Sequence, residues 1–142
     1  MRLLVPRYQR TDTLPHAARE ALIAQIAALD AEVFRDPAPA SVADGYRGVG
    51  VDECWTMTAR HRGRLVAYNT IRVWYEQGPD GPYALWRSRA AVRKGYRRGA
   101  MTGHFATLMY LVFRLRRPRL PLFTINTLIH PSSFRLFATR VA

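Results

Sequence analysis

The sequence contains one cysteine, Cys54, one lysine, Lys94, and no aspartate or glutamate after Asp80. A lone cysteine excludes an internal disulfide. The histidines His16, His61, His104 and His130 are scattered without metal-ligand spacing, so no metal is expected. Long apolar runs are also missing. The longest, Phe105 to Phe113, is broken by Thr107 and falls well short of the roughly 20 residues of a spanning helix. No membrane partner is therefore expected. Met1–Val5 runs straight into Pro6-Arg7 with no apolar leader region, so the expected setting is cytoplasmic and reducing.

What is present suits one folded domain over 1–142. Of the 142 residues, 49% are hydrophobic, enough for a sizeable core. The formal net charge is +12, and it is unevenly placed. Residues 1–80 hold ten arginines and all ten acids, whereas 81–142 hold eleven arginines, Lys94 and no acid. Arginine outnumbers lysine twenty-one to one, a bias that GC-rich coding also produces.

Local patterns predict a succession of elements. Thr13-Leu14-Pro15 reads as a helix start with Thr13 as cap, and Leu22, Ile23, Ile26, Leu29 and Val33 follow at helical spacing. Asp36-Pro37-Ala38-Pro39 ends that helix, and a loop is expected to about Val51. Cys54–Ala59 and Leu65–Tyr75 read as a hairpin about Arg62-Gly63. After the turn Gly78-Pro79-Asp80-Gly81-Pro82 comes a third strand, Tyr83–Val92. The basic loop Arg93–Gly99 leads into a helix from Thr102 or Gly103 to about Arg117, apolar enough to be mostly buried. Leu120–Asn126 reads as a fourth strand, and Ser132 or Ser133 as the cap of a short helix through Phe137. This order predicts an α/β (α+β) fold, with a mixed, mostly antiparallel sheet and flanking helices.

The segment Val92–Gly103 joins a strand end, a basic turn and a helix N-terminus. A helix N-terminus offers unpaired N–H groups to a phosphate, and Gly99, Ala100 and Gly103 leave room for close approach. Arg93, Lys94, Arg97 and Arg98 add cations, of which guanidinium suits phosphate oxygens well. The segment is neither a Walker loop nor a dinucleotide fingerprint.

The run Val92-Arg93-Lys94-Gly95-Tyr96-Arg97-Arg98-Gly99-Ala100-Met101-Thr102 resembles the cofactor loop of the GNAT superfamily of N-acyltransferases, often V-x-P-E-Y-R-G-x-G-x-G. Val92, Tyr96 and Arg97 match, while Ala100 and Thr102 stand at two motif glycines. One helix and one strand later, His130-Pro131-Ser132-Ser133-Phe134-Arg135-Leu136-Phe137 is similar to the family's N-P-x-A-x-x-L-Y. Phe137 replaces the tyrosine.

The resemblance implies a GNAT-like sheet whose strand ending near Val92 splays from Leu120–Asn126. The arm of acetyl-CoA or another acyl-CoA would lie in the gap. Ala91, Val92, Arg97, Arg98, Gly99, Ala100, Met101, Thr102 and Gly103 would hold it, the pyrophosphate lying on backbone N–H groups of the loop. The chain would be an acyl-CoA-dependent N-acyltransferase, or a remnant of one that still binds acyl-CoA; in the enzyme, the acceptor would be an unidentified amine that attacks the acyl carbonyl directly. Such chemistry needs a base, and often a tyrosine to protonate the thiolate. Phe137 carries no hydroxyl, and neither Glu53, Glu76, His104 nor His130 stands out as the base, so no catalytic residue is assigned. Five residues follow Phe137, and a sheet lacking the last strands of the family is expected.

The alternative class is a small basic binding protein, non-enzymatic, whose arginine-rich half meets nucleic acid or another polyanion through guanidinium groups and the interleaved Tyr83, Trp86, Tyr96 and Phe134. Any such affinity is expected to be electrostatic. Anisotropy of a labelled oligonucleotide should show binding collapsing between about 50 and 200 mM salt; an affinity flat across that range would contradict it.

Overall fold

In the computed structural model, residues 4–34, 40–97 and 101–125 are described. The order is β1 (Pro6–Arg10), α1 (His16–Val33), α2 (Ala40–Tyr46), β2 (Glu53–His61), β3 (Arg64–Gly78), β4 (Gly81–Val92), a 3-10 turn (Lys94–Tyr96), α3 (Met101–Arg116) and β5 (Leu122–Ile125). The five strands form one sheet in sequence order. Its pairings are antiparallel except β4 with β5, which run parallel and are joined through α3.

Turn chemistry sets the register. Arg62 and Gly63 have φ of 49° and 78°, the left-handed pair that a two-residue hairpin needs between His61 and Arg64. Pro79-Asp80 closes the next hairpin between Gly78 and Gly81. β3 lies at the centre and is buried without a break from Leu65 to Val73, because both sheet faces are covered.

On one face, Leu22, Ile23, Ile26 and Leu29 of α1 and Val42 and Tyr46 of α2 pack on Cys54, Leu65, Tyr68 and Ala91. On the other, Phe105, Met109 and Phe113 of α3 pack on Met57, Val66, Ala67, Ile71, Val73, Ala84 and Trp86. Among the described residues, no helix is long and apolar enough to cross a membrane.

Several local expectations are corrected. β1 was not anticipated. It is an edge strand whose one large apolar residue, Tyr8, stacks on Phe105 at 5.6 Å. α2 occupies part of the expected loop, its apolar Val42 and Tyr46 being buried on the α1 face. Thr13 does not cap α1: its hydroxyl donates to the Arg10 carbonyl (3.2 Å), and Pro15 precedes the first turn.

Nor is α3 mostly buried. Its core contact is the single stripe Phe105, Met109, Phe113, while Leu108, Leu111 and Leu115 are exposed, Leu115 at 85%. The expected helix through Ser132, Ser133 and Phe137 lies outside the described residues.

One buried charge ties these layers together. Asp30 of α1 is only 2% exposed. It pairs with Arg89 of β4 at 2.8 Å and accepts a short hydrogen bond from the Tyr68 hydroxyl of β3. Removing one member of such a pair leaves the other buried and uncompensated. Asp30→Ala is expected to cost about 3 kcal/mol in urea unfolding; a loss below about 1 kcal/mol, the range of exposed pairs, would contradict this account.

Candidate functional site: the β4 edge, the basic turn and the start of α3

β4 is paired with β3 from Gly81 to Val92 and, among the described residues, with β5 over Ala84–Arg87. The Ala84 N–H donates to the Pro121 carbonyl (2.8 Å), so even-numbered residues of β4 turn their N–H and C=O towards the β5 side. Ala90 and Val92 are turned to that same side, where the Val92 carbonyl accepts from Arg97 Nε. The Arg93 N–H points the other way, to the Val66 carbonyl at 2.9 Å.

The basic turn is firmly anchored. The Tyr96 N–H donates to the Arg93 carbonyl (2.8 Å), and the Tyr96 hydroxyl lies 2.7 Å from His61 Nδ1. Its arginines split into two roles. Arg93 is turned back onto Glu32 of α1 in a close ion pair and reaches the Leu65 carbonyl. It is thus a corrected expectation, engaged in fastening the turn and not open to a phosphate. Arg97 is exposed; its Nε donates to the Val92 carbonyl (3.2 Å), which leaves its terminal N–H groups for a ligand. Lys94 is exposed. Arg98, Gly99 and Ala100 lie outside the described residues.

Of the remaining expected site residues, Ala91 is buried at the end of β4, opposite Tyr68, and Val92 is half-buried, opposite Ala67. Met101, Thr102 and Gly103 form the first turn of α3. The Thr102 carbonyl accepts from Asn69 Nδ2 (3.0 Å), a contact that fixes the helix start against β3 and that spacing alone did not reveal. Asn69 Oδ1, buried, has no partner among the described residues.

The acids considered as bases are placed as follows. Glu53 accepts from Trp55 Nε1 (2.7 Å) and the Tyr75 hydroxyl (3.2 Å). It lines a cavity of about 430 Å³ with Trp86, Val112, Phe113, Arg116 and Arg117 under the C-terminal half of α3. Glu76 is exposed on β3, and His104 is exposed in the first turn of α3. His130 lies outside the described residues. Burial pushes the Cys54 thiol up to about 12, so it stays protonated and unreactive. Burial likewise pushes the Tyr46 hydroxyl up to about 12.

The other arginines of the basic half have structural partners in part. Arg114 donates to the Leu120 carbonyl (2.8 Å), Arg116 lies 5.5 Å from the centre of the Trp55 ring, and Arg117 lies 4.2 Å from that of Tyr75.

No protein-family model matches the chain, and no curated protein matches its sequence. Solved structures do match its shape. The ribosomal-protein-alanine N-acetyltransferase of Brucella melitensis biovar Abortus 2308 is 13% identical with a TM-score of 0.56, covering 99% of this chain and 91% of that one. The aminoglycoside N-acetyltransferase AAC(6')-Iy, in complex with CoA, is 10% identical with a TM-score of 0.61, covering 97% and 88%. AAC(6')-Ih from Acinetobacter baumannii is 12% identical with a TM-score of 0.60, covering 95% and 88%. The chain has the GNAT fold. By residue number, the strands that the sequence resemblance expected to splay are β4 and β5, and the expected phosphate cradle is the start of α3.

Gly103 tests how open that cradle is. No atom lies within 4 Å of where a Cβ would sit. Gly103→Ala is therefore expected to stabilise the protein by about 0.5 kcal/mol through helix propensity, read from thermal unfolding. A destabilised variant would show that the turn is closed.

Proposed function

We propose that the protein is an acyl-CoA-dependent N-acyltransferase, with acetyl-CoA as the simplest donor and an amine as acceptor. The observation that carries this reading is the course of β4. The strand runs parallel to β5 and leads, through an anchored basic turn, towards the start of α3.

The residues present suit such a donor. Ala90 and the Val92 N–H are turned to the β5 side, where an amide-bearing arm is proposed to pair with them as a further strand does. The start of α3 supplies helix-end N–H groups and the favourable end of its dipole. Gly103 leaves open space there, and Arg97, at the end of β4, has no acid partner among the described residues. Arg98, Gly99, Ala100, Met101 and Thr102 are proposed to complete the cradle.

The donor supplies a thioester whose carbonyl accepts the amine. A C–N bond forms, the C–S bond breaks, the amine loses a proton and the thiolate leaves. The chain's own residues hold the donor and orient it. Among the described residues no carboxylate is free beside Ala90–Val92. Asp30 is the one acid ion-paired to β4, and it is committed to Arg89 and Tyr68. Proton removal by water from an amine that enters neutral is compatible with this arrangement.

Calorimetry with CoA tests the reading. A saturable one-to-one exotherm is expected, weakened at least tenfold by Arg97→Glu and also by the stable Gly103→Ala. Absence of heat with folded wild-type protein, or binding indifferent to both variants, would overturn it.

A further inference from the structure

The most costly charge among the described residues is one that the proposed donor site does not use. Arg72, in the middle of β3, is only 6% exposed. Among the described residues it forms no ion pair, and its buried Nε has no hydrogen-bond partner. The sheet brings further cations to it. Arg72 stands directly opposite Arg87 of β4, and Arg89 lies two residues on along the same face. Arg89 is neutralised by Asp30, whereas Arg87 is exposed and has no ion pair among the described residues.

The side chain passes close to α2. A Cβ on Gly45 would stand 2.7 Å from Arg72 Cδ, so any other residue at that helix position would force the arginine to shift. The guanidinium lies 5.7 Å from the centre of the Trp74 ring. Burial, together with Arg87 and Arg89, pushes the Arg72 guanidinium below its usual range; the nearby Tyr46 acts in the opposite sense. A buried cation with an orphaned N–H, next to a second cation, destabilises a fold unless an anion completes it.

Its position is informative. Arg87 is the β4 residue registered with Ile125 of β5. The pair Arg72 and Arg87 therefore runs from the central strand to the strand beside β5. It occupies the α1–α2 face, because Arg72 packs on Gly45 and Arg89 reaches Asp30.

We propose that Arg72 and Arg87 form an oxyanion subsite, and that the amine acceptor carries a carboxylate or phosphate group which docks there. The second half of this statement rests on the acyltransferase reading; the first half does not. The guanidinium forks would take the acceptor's anionic oxygens and leave its amine free to reach the C-terminal end of β4.

The test separates the two halves. Thermal melting of the whole chain is followed in sodium phosphate, sodium acetate and sodium chloride at equal ionic strength, with no CoA present. Phosphate or acetate should raise Tm by about 4 °C at roughly tenfold excess over its Kd. Whichever of the two is effective identifies the anion. Arg72→Met and Arg87→Gln should each abolish the response, while Arg119→Gln, on the exposed end beyond α3, should keep it. Arg72→Met should also melt no lower than wild type without anion, since it removes an uncompensated charge. An equal response in all variants, no response to either anion, or an Arg72→Met protein that is markedly less stable would overturn the subsite.

The acceptor is probed with acetyl-CoA and a matched pair, lysine and its decarboxylated analogue cadaverine. Arg72→Met should lower kcat/KM for lysine at least tenfold and leave cadaverine unaffected. Equal loss on both would overturn the acceptor assignment. Anion binding without any CoA binding would overturn the acyltransferase reading and leave the subsite standing.

Discussion

The Asp30 carboxylate is the constraint on which the arrangement depends. It projects from α1 into the sheet and engages Arg89 of β4 and Tyr68 of β3. A charge that deep is tolerated only because both partners are in place, and this demand fixes the helix against two strands at once. Two residues on, Glu32 takes Arg93 just after β4 ends. One helix thereby fastens the end of β4 at two points, and the turn into α3 starts from a held position. Asn69 completes the fastening from β3 by its bond to the Thr102 carbonyl. The candidate donor site is thus built on paired strands and braced from both sheet faces.

Much of this architecture was legible in residue patterns. The two hairpins announced themselves through Arg62-Gly63 and Gly78–Gly81, whose backbones need those turn residues. α1 was legible through Leu22, Ile26 and Leu29, which recur at helical spacing. What escaped were elements whose stability comes from elsewhere. β1 reads Pro-Arg-Tyr-Gln-Arg, with almost no apolar alternation, and is held by its ladder to β2. α2 is seven residues long and follows two prolines. Periodicity also misjudged α3, because nearly every position is apolar and only contact with the sheet selects Phe105, Met109 and Phe113 as the inward stripe.

The candidate site was legible as a segment and not as a set of roles. Arg93 and Arg97 are indistinguishable as neighbours in a basic run. Their directions differ because one follows the strand back to Glu32 and the other folds over the end of β4. Arg72 carried no signal in a chain so rich in arginine. The hint was Gly45, a glycine inside a helix, and its meaning emerged only when β3 was seen beneath it. The GNAT fold supplied by the structural neighbours agrees with the fold class expected from the residues, while their 10–13% identity leaves the substrates to be worked out from this chain's own side chains.

The order of charges along the chain has a consequence for how the protein is made. Every acid lies within the first 80 residues, and among the described residues the ion pairs that cross to the basic half, Asp30 with Arg89 and Glu32 with Arg93, both draw on α1. During synthesis the counterions emerge before the cations they will neutralise. The neutral half is thus available as a template when the arginines leave the ribosome, an RNA-rich surface to which an unpartnered basic segment would otherwise adhere.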